Sequence, residues 1–424
     1  MKKSFLLSFF VVASLHATSI TTLLQALSKR PEFQIDSLMI KQTSFEGKKI
    51  SAKLWPKVTL FASIEQNSIY KPLGVLLPNE SAKLLKNKNA PQPFSKTIIQ
   101  EGIKVTWPIF VKSLFSLKEQ AKYMAISARQ KRKLNLLQKE AMVVGAAAQL
   151  NYIDAMLRAL SAKERSIKES KKKIALGVKI GQMPYSKLLL INTKLNEIKI
   201  NQAFLKTNRL ALLAKLQDLT GIKVRGTIPL RLKRHIKKGE FFALKPLQSK
   251  LRASKKAIEA AKGAFYPKVV VSGIVVREHG NSINTDTFMH KNLAQIKLSA
   301  TMPLFDKEKQ VDVQIAKINY LKNALSIKKM RHSLKVEAKK IKSNIALLQK
   351  SARLAKKSIK QQQELLKMAK VAFLQGSITQ EEYLRYEDAL FSAKADFAKI
   401  IAQIWQNRVQ LAVIYGDDLK GVVR

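Results

Sequence analysis

The sequence predicts a mainly α-helical protein with a smaller β-strand portion, and three observations support this fold class. Over residues 108–181 apolar side chains recur every three or four positions, with no proline after the first residue and only two glycines before the terminal Gly181. Shorter stretches alternate apolar and polar side chains with a period of two, which is typical of strands. The order of these features occurs twice along the chain, which indicates a duplicated fold.

The stretch over residues 108–181 is predicted to be one long amphipathic helix. At 1.5 Å per residue it would be on the order of 100 Å long, several times the width of an ordinary domain. It therefore has to pack lengthwise against other helices. The heptad phase slips near residues 129–133 and again near Ala148, which indicates locally adjusted supercoiling instead of one strict coiled coil.

Residues 1–17 are predicted to be a secretory signal peptide. Lys2 and Lys3 precede an apolar run over residues 5–15, and cleavage is expected after Ala17. The alternative is a buried N-terminal helix. The run is too short to span a bilayer, and no later apolar run approaches about 18 residues. The sequence therefore predicts no transmembrane helix after processing.

The composition excludes several classes of site. The 424 residues contain no cysteine, which excludes disulfides, thiolate metal sites and a cysteine-linked lipid anchor. The formal net charge of +49 would suit nucleic acid or an anionic membrane. The lysines, however, are spread along helical polar faces, and the chain is expected to be exported. Most of the charge is interpreted as a solvated surface, with an anion-binding surface as the alternative.

The internal repeat has a constant offset of 195 residues over more than a hundred positions. Three features share this offset: the junction at 107–110 and 302–305, Gly181 and Gly376, and the helix end at 219–221 and 414–416. Upstream, Pro56 matches Pro267 at an offset of 211 residues. The difference predicts an insertion of 16 residues in the first half, before Pro108.

The repeat predicts the organisation of the mature chain. The predicted segments are a first repeat over 18–221, a linker over 222–241, a second repeat over 242–416 and a C-terminal tail over 417–424. The linker contains a basic run over residues 231–238. This run is interpreted as solvated, with a targeting or nucleic-acid signal as the alternative.

Each repeat is predicted to begin with a helix that ends at a proline, followed by two strands. The helices are expected over 20–54 and 244–265, and the strand-start prolines are Pro56 and Pro267. Alternation predicts strands at 58–65, 103–107, 269–276 and 294–302. Gly273 is expected to mark a bulge. The connections over 66–97 and 279–292 are polar and are predicted to be loops in water.

The strands have the length and alternation of transmembrane β-strands, with soluble hairpins packed on the helices as the alternative. Four strands cannot close a barrel, and a lipid-exposed sheet edge is not viable, so membrane insertion requires oligomerisation. The polar side chains would then face the lumen, because Lys297 in lipid would cost a few kcal/mol. The expected lumen-facing residues are Lys104, Thr106, Gln295, Lys297, Ser299 and Thr301.

After the second strand, each repeat is predicted to contain a long helix, a turn and a return helix of about 35 residues. Gly181 and Gly376 are placed to leave the long helix, and Pro184 and Thr379 are placed to begin the return helix.

This ordered set of a signal peptide, duplicated strand pairs, a Pro-Leu/Ile-Phe junction, long helices and glycine turns resembles the TolC-type outer membrane efflux proteins. The resemblance covers essentially the whole mature chain and rests on the order of the parts. It implies a homotrimer whose chains together form a twelve-stranded barrel in the outer membrane of a Gram-negative bacterium, with the helices forming an α-barrel across the periplasm. It implies an exit duct for a tripartite efflux pump or a type I secretion system, working with a periplasmic adaptor and an inner-membrane pump.

The resemblance also places the tunnel entrance and the adaptor docking site at the helix turns. The residues concerned are Gly181, Lys187, Gly376, Glu382 and Arg385. In the family, acidic residues after the second turn often ring the entrance, and Glu382 matches this pattern while Arg385 and Lys187 depart from it. If these basic residues face the pore, cation preference is expected to be weak or reversed. The alternative is that Arg385 pairs with Glu382 on the outer surface.

The sequence contains no pattern that indicates an enzyme, a cofactor or a metal site. The five histidines have no metal-ligand spacing, although His279 and His290 flank one predicted loop. There is no phosphate-binding loop or nucleophile elbow, and Glu381 and Glu382 are explained by the dipole at the start of a helix. The competing class is an exported soluble helical scaffold or adhesin that binds anionic polymers. A periplasmic adaptor is disfavoured, because no lipoyl-like or barrel-rich half is visible.

Overall fold

The computed structural model describes residues 19–424 except residue 88, so the predicted signal peptide lies outside the described residues. The described chain divides into two compact units, which are treated separately. The helical unit contains residues 19–38, 129–245 and 328–424, and the sheet unit contains residues 39–128 and 246–327.

The helices and strands follow the predicted order. The helices are α1 Ile20–Leu27, α2 Pro31–Ala52, α3 Pro78–Lys86, α4 Lys112–Lys179, α5 Tyr185–Thr220, α6 Lys245–Gly263, α7 Lys307–Leu374, α8 Gln380–Tyr415 and α9 Leu419–Val422. The strands are β1 Lys57–Pro72, β2 Phe94–Val111, β3 Lys268–Asn281 and β4 Phe288–Thr301. A 3₁₀ turn at Phe242–Leu244 precedes α6. Within the described residues, none of the helices has both the length and the apolar character to cross a bilayer.

The structure reproduces the internal repeat in the lengths of its helices. Helices α4 and α7 each contain 68 residues, and α5 and α8 each contain 36. Both pairs begin and end 195 residues apart, at the offset read from the sequence. The extra residues of the first half lie between β1 and β2, where α3 has no counterpart between β3 and β4.

The first helix of the chain differs from the sequence expectation, because it is two helices. Helix α1 ends at Leu27, and α2 begins at Pro31, which lacks a backbone N–H and is suited to the first position of a helix. Four apolar residues of α1, at helical spacing, are almost fully buried: Ile20, Leu23, Leu24 and Leu27. Arg30, in the break, donates from Nη2 to the carbonyl of Asp218 at 3.0 Å. The break therefore turns the short α1 onto the end of α5.

The main core of the helical unit surrounds the middle of α4. There Val143, Val144 and Leu150 are fully or almost fully buried, together with the small residues Ala147 and Ala148. Small side chains allow neighbouring helix backbones to approach closely, and the apolar side chains of α1, α5, α8 and α9 fill the space around them. The alanines next to Val143 and Val144 are thus part of the main core of this unit.

The linker is held to the rest of the helical unit through its backbone, although the side chains of Arg231, Lys233, Lys237 and Lys238 are exposed, as the sequence predicts. Ile228 is fully buried, and the side chain of Asn151 binds both its backbone N–H, at 3.0 Å, and its carbonyl, at 2.6 Å. Leu232 forms a β-bridge with Val423 of the tail. The basic run therefore lies along the C-terminal tail, because its backbone groups find partners there instead of in water.

An ion pair fastens the linker to the tail. Arg234 donates from both Nη atoms to the carboxylate of Asp417, at 2.6 and 2.7 Å. The Arg234 guanidinium holds the pKa of Asp417 below its ordinary value of 3.8. Asp417 also accepts from the backbone N–H of Lys237 at 2.9 Å. Bidentate pairing of this kind fixes geometry as well as charge.

The sheet unit contains one antiparallel sheet in the order β1-β2-β3-β4. Its strands are longer than the alternation predicted, so parts of the predicted loops 66–97 and 279–292 are strand. Gly273 is not a bulge, because it pairs in register with Val105 and Ile296. Register shifts lie instead between Gln66 and Lys71 of β1 and between Pro108 and Phe110 of β2, and the second is consistent with the missing N–H of proline.

Candidate functional site

The two helix turns have the same backbone geometry. Gly181 and Gly376 follow α4 and α7 and have φ values of 77° and 76°, in the left-handed region that favours glycine. At the first turn Gln182 N donates to Gly177 O at 2.8 Å, and at the second Ser377 N donates to Ala372 O at 2.8 Å. These bonds define a Schellman motif at each turn. The positive φ is therefore the reason for glycine at both turns. Crowding is not, because no described atom lies within 4 Å of an added Cβ at either position.

The starts of the return helices differ between the two turns. Thr379 caps α8, accepting from the backbone N–H of Glu382 at 3.3 Å, while Glu382 accepts from the N–H of Thr379 at 2.8 Å. This reciprocal pair is a capping box. The backbone bond from Thr379 holds the pKa of Glu382 below its ordinary value of 4.5. At the first turn Pro184 precedes α5 and provides no side-chain hydrogen bond.

At the second turn Arg385 forms an ion pair, but its partner is Glu381 and not Glu382 as in the alternative considered from the sequence. Arg385 Nη2 donates to Glu381 Oε1 at 2.7 Å, one helical turn earlier, and not to Glu382. Lys173 of α4 lies 4.0 Å from the other carboxylate oxygen of Glu381. Lys187, at the position of the first repeat that corresponds to Glu382, is exposed near the start of α5. The structure thus places all five predicted entrance residues at the two turns.

Further contacts in the helical unit join α4 to α8. Arg165 Nη2 donates to Glu387 Oε1 at 2.9 Å, about two helical turns from Lys173 and Glu381. Ala155 and Ala159 of α4 pack with Ala395 of α8 in a small buried cluster. Sequence reasoning did not identify these contacts. The small residues were a usable signal for close helix packing, but nothing in the sequence specified which helix would cover them.

The predicted lumen-facing residues share one face of the sheet. Lys104 lies opposite Ile274, which in turn lies opposite Gln295, and residues directly opposite in antiparallel strands share a face. In the next row Thr106, Ser272 and Lys297 follow one another across the strands. Ser299 and Thr301 continue the same face of β4, because side chains alternate along a strand.

The other face of the sheet is apolar and exposed to solvent in the single chain. In one row Leu60 lies opposite Ile103, and Ile103 opposite Val275. In β4, Ile296 and Leu298 are 86% and 69% exposed. Leu60 is 79% exposed. An apolar face this extensive needs a cover that the described chain does not provide.

The strand-start prolines lie where the sequence predicts. Pro56 and Pro267 immediately precede β1 and β3, which begin at Lys57 and Lys268. Each follows the end of a helix, α2 or α6, by a few residues. The missing proline N–H is therefore not required for a helix or for the sheet ladder at that point.

The histidines near the loop end of the sheet are the remaining candidate for a ligand site. His279 and His290 are paired across β3 and β4, with ring centroids 6.2 Å apart, and His279 Nε2 lies 3.3 Å from Glu101 Oε1. Over residues 19–87 and 89–424, no group of three or more His, Cys, Asp or Glu side chains is arranged to hold a metal ion.

These features define a class of protein. The described chain combines two helical hairpins of equal construction with a sheet that has one polar and one exposed apolar face, the alternation that is typical of transmembrane strands. A family model described as "Outer membrane efflux protein" matches residues 242–417. This match covers the whole of the predicted second repeat. A search of curated proteins finds no match.

Solved structures share the fold of nearly the whole chain. The Campylobacter jejuni CmeC outer membrane channel matches with a TM-score of 0.75 at 16% identity, covering 95% of this chain and 85% of CmeC. The Vibrio cholerae outer membrane protein VceC matches with a TM-score of 0.71 at 12% identity, covering 94% and 96% of the two chains. The Neisseria gonorrhoeae MtrE outer membrane channel, in its open state, matches with a TM-score of 0.69 at 16% identity, covering 95% and 90%. The predicted fold class and the resemblance to TolC-type proteins are confirmed.

Proposed function

We propose that this chain is the outer-membrane exit duct of a tripartite efflux pump or a type I secretion system. In this role it receives substrates from an inner-membrane pump through a periplasmic adaptor and passes them across the outer membrane. The observation that carries the proposal is the exposed apolar face of the four-stranded sheet. Neither the family match nor the solved structures support the alternative of a soluble scaffold or adhesin.

The apolar face has the dimensions of a membrane-facing band. Along β1 it runs from Val58 to Ile64, a distance of about 20 Å at roughly 3.3 Å per residue. The lipid-facing band of outer membrane barrels is about 25 Å tall. The opposite face contains Lys104 and Lys297, and burying such a side chain near the bilayer midplane would cost about 2–4 kcal/mol. Both the height of the apolar face and the lysines on the opposite face are therefore consistent with lipid on the apolar side and water on the polar side.

The open edges of the sheet support assembly as a homotrimer. Among the described residues β1 and β4 each pair with one strand only, so their outer backbone groups need partners from another chain. Four strands from each of three chains would close a barrel without edges. In the helical unit, α7 has exposed apolar residues seven positions apart, Leu347 and Leu354, which is the spacing of a helix packing seam.

The location and partners follow from the same proposal. The barrel lies in the outer membrane of a Gram-negative bacterium, and the helical part lies in the periplasm. The turns at Gly181 and Gly376 form the periplasmic entrance, where an adaptor docks. The chain has no catalytic role in this proposal.

Fractionation and conductance test this function together. We expect the mature chain in the outer-membrane fraction, extractable only with detergent and migrating as a heat-resistant trimer on gels. Purified trimers should form discrete conducting channels in planar bilayers. Complete release by osmotic shock, as a soluble protein without channel activity, would contradict the proposal.

A further inference from the structure

We infer that the segment over residues 73–93, which connects β1 to β2, is a positively charged selectivity filter inside the proposed barrel and favours the passage of anionic substrates. This inserted segment contains α3 and has no counterpart in the second repeat, where β3 and β4 are joined by residues 282–287 alone. The inference rests on the proposed function, because it requires the polar face of the sheet to line a lumen. It adds the charge class of the cargo to that function.

The inserted segment is held by side chains on the polar face of the sheet. Gly74 N donates to Glu278 Oε2 at 2.7 Å, and Gln100 Nε2 donates to Glu278 Oε1 at 2.8 Å. An added Cβ at Gly74 would lie 3.0 Å from the Cβ of Lys291. Glu278 and Lys291 are paired across β3 and β4, and Lys291 is an even number of positions from Gln295, so both lie on the predicted lumen face. The inserted segment therefore lies over that face.

The backbone at the start of the inserted segment turns it across the end of the sheet. Gly74 has a φ value of 66°, in the left-handed region that favours glycine. Leu73 is fully buried, and Ile98, on the polar face, is 3% exposed. Ile99, the next residue of β2, is on the apolar face and is 39% exposed. The inserted segment thus covers one face of this end of the sheet and leaves the other uncovered.

Further contacts hold the rest of the inserted segment against the second repeat. Gln92 N donates to Ser282 Oγ and to Asn284 Oδ1, each at 2.9 Å, in the connection between β3 and β4. Lys291 Nζ lies 3.8 Å from Glu80 Oε2 of α3. Because its first residues, α3 and its last residues all contact β3, β4 or their connection, the inserted segment has a defined place on the sheet.

The charge of the inserted segment is positive. It contains three lysines and one glutamate, and the charge of this glutamate, Glu80, is balanced by Lys291. Lys83 and Lys86 of α3 are exposed, and over residues 19–87 and 89–424 no carboxylate lies within 4 Å of their ammonium groups. Three chains would bring two such lysines each to one lumen. A narrow passage with low-dielectric walls concentrates their field, which attracts anions and repels cations.

Ion selectivity tests the charge of the inserted segment. The variant K83E/K86E reverses two charges in each chain, so the potassium-to-chloride permeability ratio should rise about threefold or more. Reversal potentials in planar bilayers under a potassium chloride gradient provide the measurement. K83R/K86R keeps both charges and is the matched control, which should behave as the wild type. Equal permeability ratios for the two variants would overturn the inference.

A single cysteine tests the position of the inserted segment. The chain has no cysteine, so Lys83→Cys can be modified alone, and the exposed side chain makes misfolding of this variant unexpected. A maleimide that carries a neutral polyethylene glycol chain should lower the single-channel conductance of Lys83→Cys trimers by about half or more, because it adds bulk to the lumen. The wild type treated in the same way should not change. Complete labelling without a loss of conductance would contradict the inference.

The wild-type channel separates this inference from the proposed function. Conducting wild-type trimers whose variants show neither effect would contradict the inference alone. A wild-type chain that forms no channel would contradict the proposed function and, with it, the inference.

Discussion

Arg385 and Glu381 form an ion pair one helical turn apart at the start of α8, with 2.7 Å between Nη2 and Oε1. Glu382 instead takes part in the capping box with Thr379, and Lys173 of α4 lies 4.0 Å from the carboxylate of Glu381. The charges near the proposed entrance are thus a balanced group instead of an acidic ring. Lys187 at the other turn adds positive charge.

We predict that this balance makes the channel weakly selective for cations or selective for anions. Replacing Arg385 with Asp removes a positive charge and frees Glu381, so the cation-to-anion permeability ratio should rise roughly twofold or more. Arg385→Lys keeps the charge and is the matched control. Reversal potentials in planar bilayers under a salt gradient provide the measurement. A strongly cation-selective channel that Arg385→Asp leaves unchanged would show that Arg385 does not set selectivity.

We predict that the turn glycines are required for export but not for membrane assembly. Gly181→Val and Gly376→Val each force a β-branched residue to positive φ, at a cost of about 1–3 kcal/mol. Export by the double variant should fail, while trimers remain in the outer membrane. Gly145→Ala is the control, because Gly145 lies within α4 and an added Cβ meets open space there. Normal export by the double variant would argue against this placement of the entrance.

Glu140 of α4 gives a prediction about pH. Its side chain is 1% exposed, and Oε2 accepts from the backbone N–H of Leu419 at 3.3 Å, with Lys420 Nζ 3.9 Å from Oε1. Burial, with a further contribution from Asp418, raises the pKa of Glu140 from 4.5 to about 7. Between these two values the folded state binds more protons than the unfolded state. The contribution of Glu140 to stability is therefore greatest below pH 4.5 and is lost as the pH rises through about 7.

Comparison with the Glu140→Gln variant isolates this effect. The free energy of unfolding of the wild type relative to this variant should fall by about 3 kcal/mol between pH 4.5 and 8, since one pKa unit corresponds to about 1.4 kcal/mol. Denaturant unfolding in detergent provides the measurement. Glu164→Gln is the control. The Lys168 hydrogen bond lowers the pKa of Glu164, so the contribution of Glu164 to stability varies with pH only below about 4.5. A stability difference that does not vary above pH 4.5 would refute the assignment.

Much of this fold could be predicted from the sequence, because period and repetition are local signals. The boundaries of α4, α5, α7 and α8 follow from glycine and proline positions together with the constant offset. The break at Pro31 was missed, although a proline inside a predicted helix is itself a signal for a break. The in-register pairing of Gly273 was also missed, because a glycine within a strand is compatible both with a bulge and with close packing of neighbouring backbones.

The less predictable features depend on contacts between distant segments. Nothing local to the run at 231–238 shows that Arg234 meets Asp417, or that Leu232 pairs with Val423. Likewise the pairing of Arg385 with Glu381 instead of Glu382 depends on the capping box, in which Thr379 takes the carboxylate of Glu382. The positions of these residues at the two turns could be predicted from the repeat, but their hydrogen-bond partners could not.

The proposed duct requires the apolar face of the sheet to contact lipid and the polar face to line the lumen. Because the chain has no cysteine, single cysteines can be placed at the adjacent positions Ile296 and Lys297 without a background signal. A membrane-impermeant, water-soluble thiol reagent is then applied to intact outer membranes. The expected result is rapid labelling of Lys297→Cys, which faces a water-filled lumen, and protection of Ile296→Cys by lipid. Labelling of Ile296→Cys with protection of Lys297→Cys would contradict the proposed barrel.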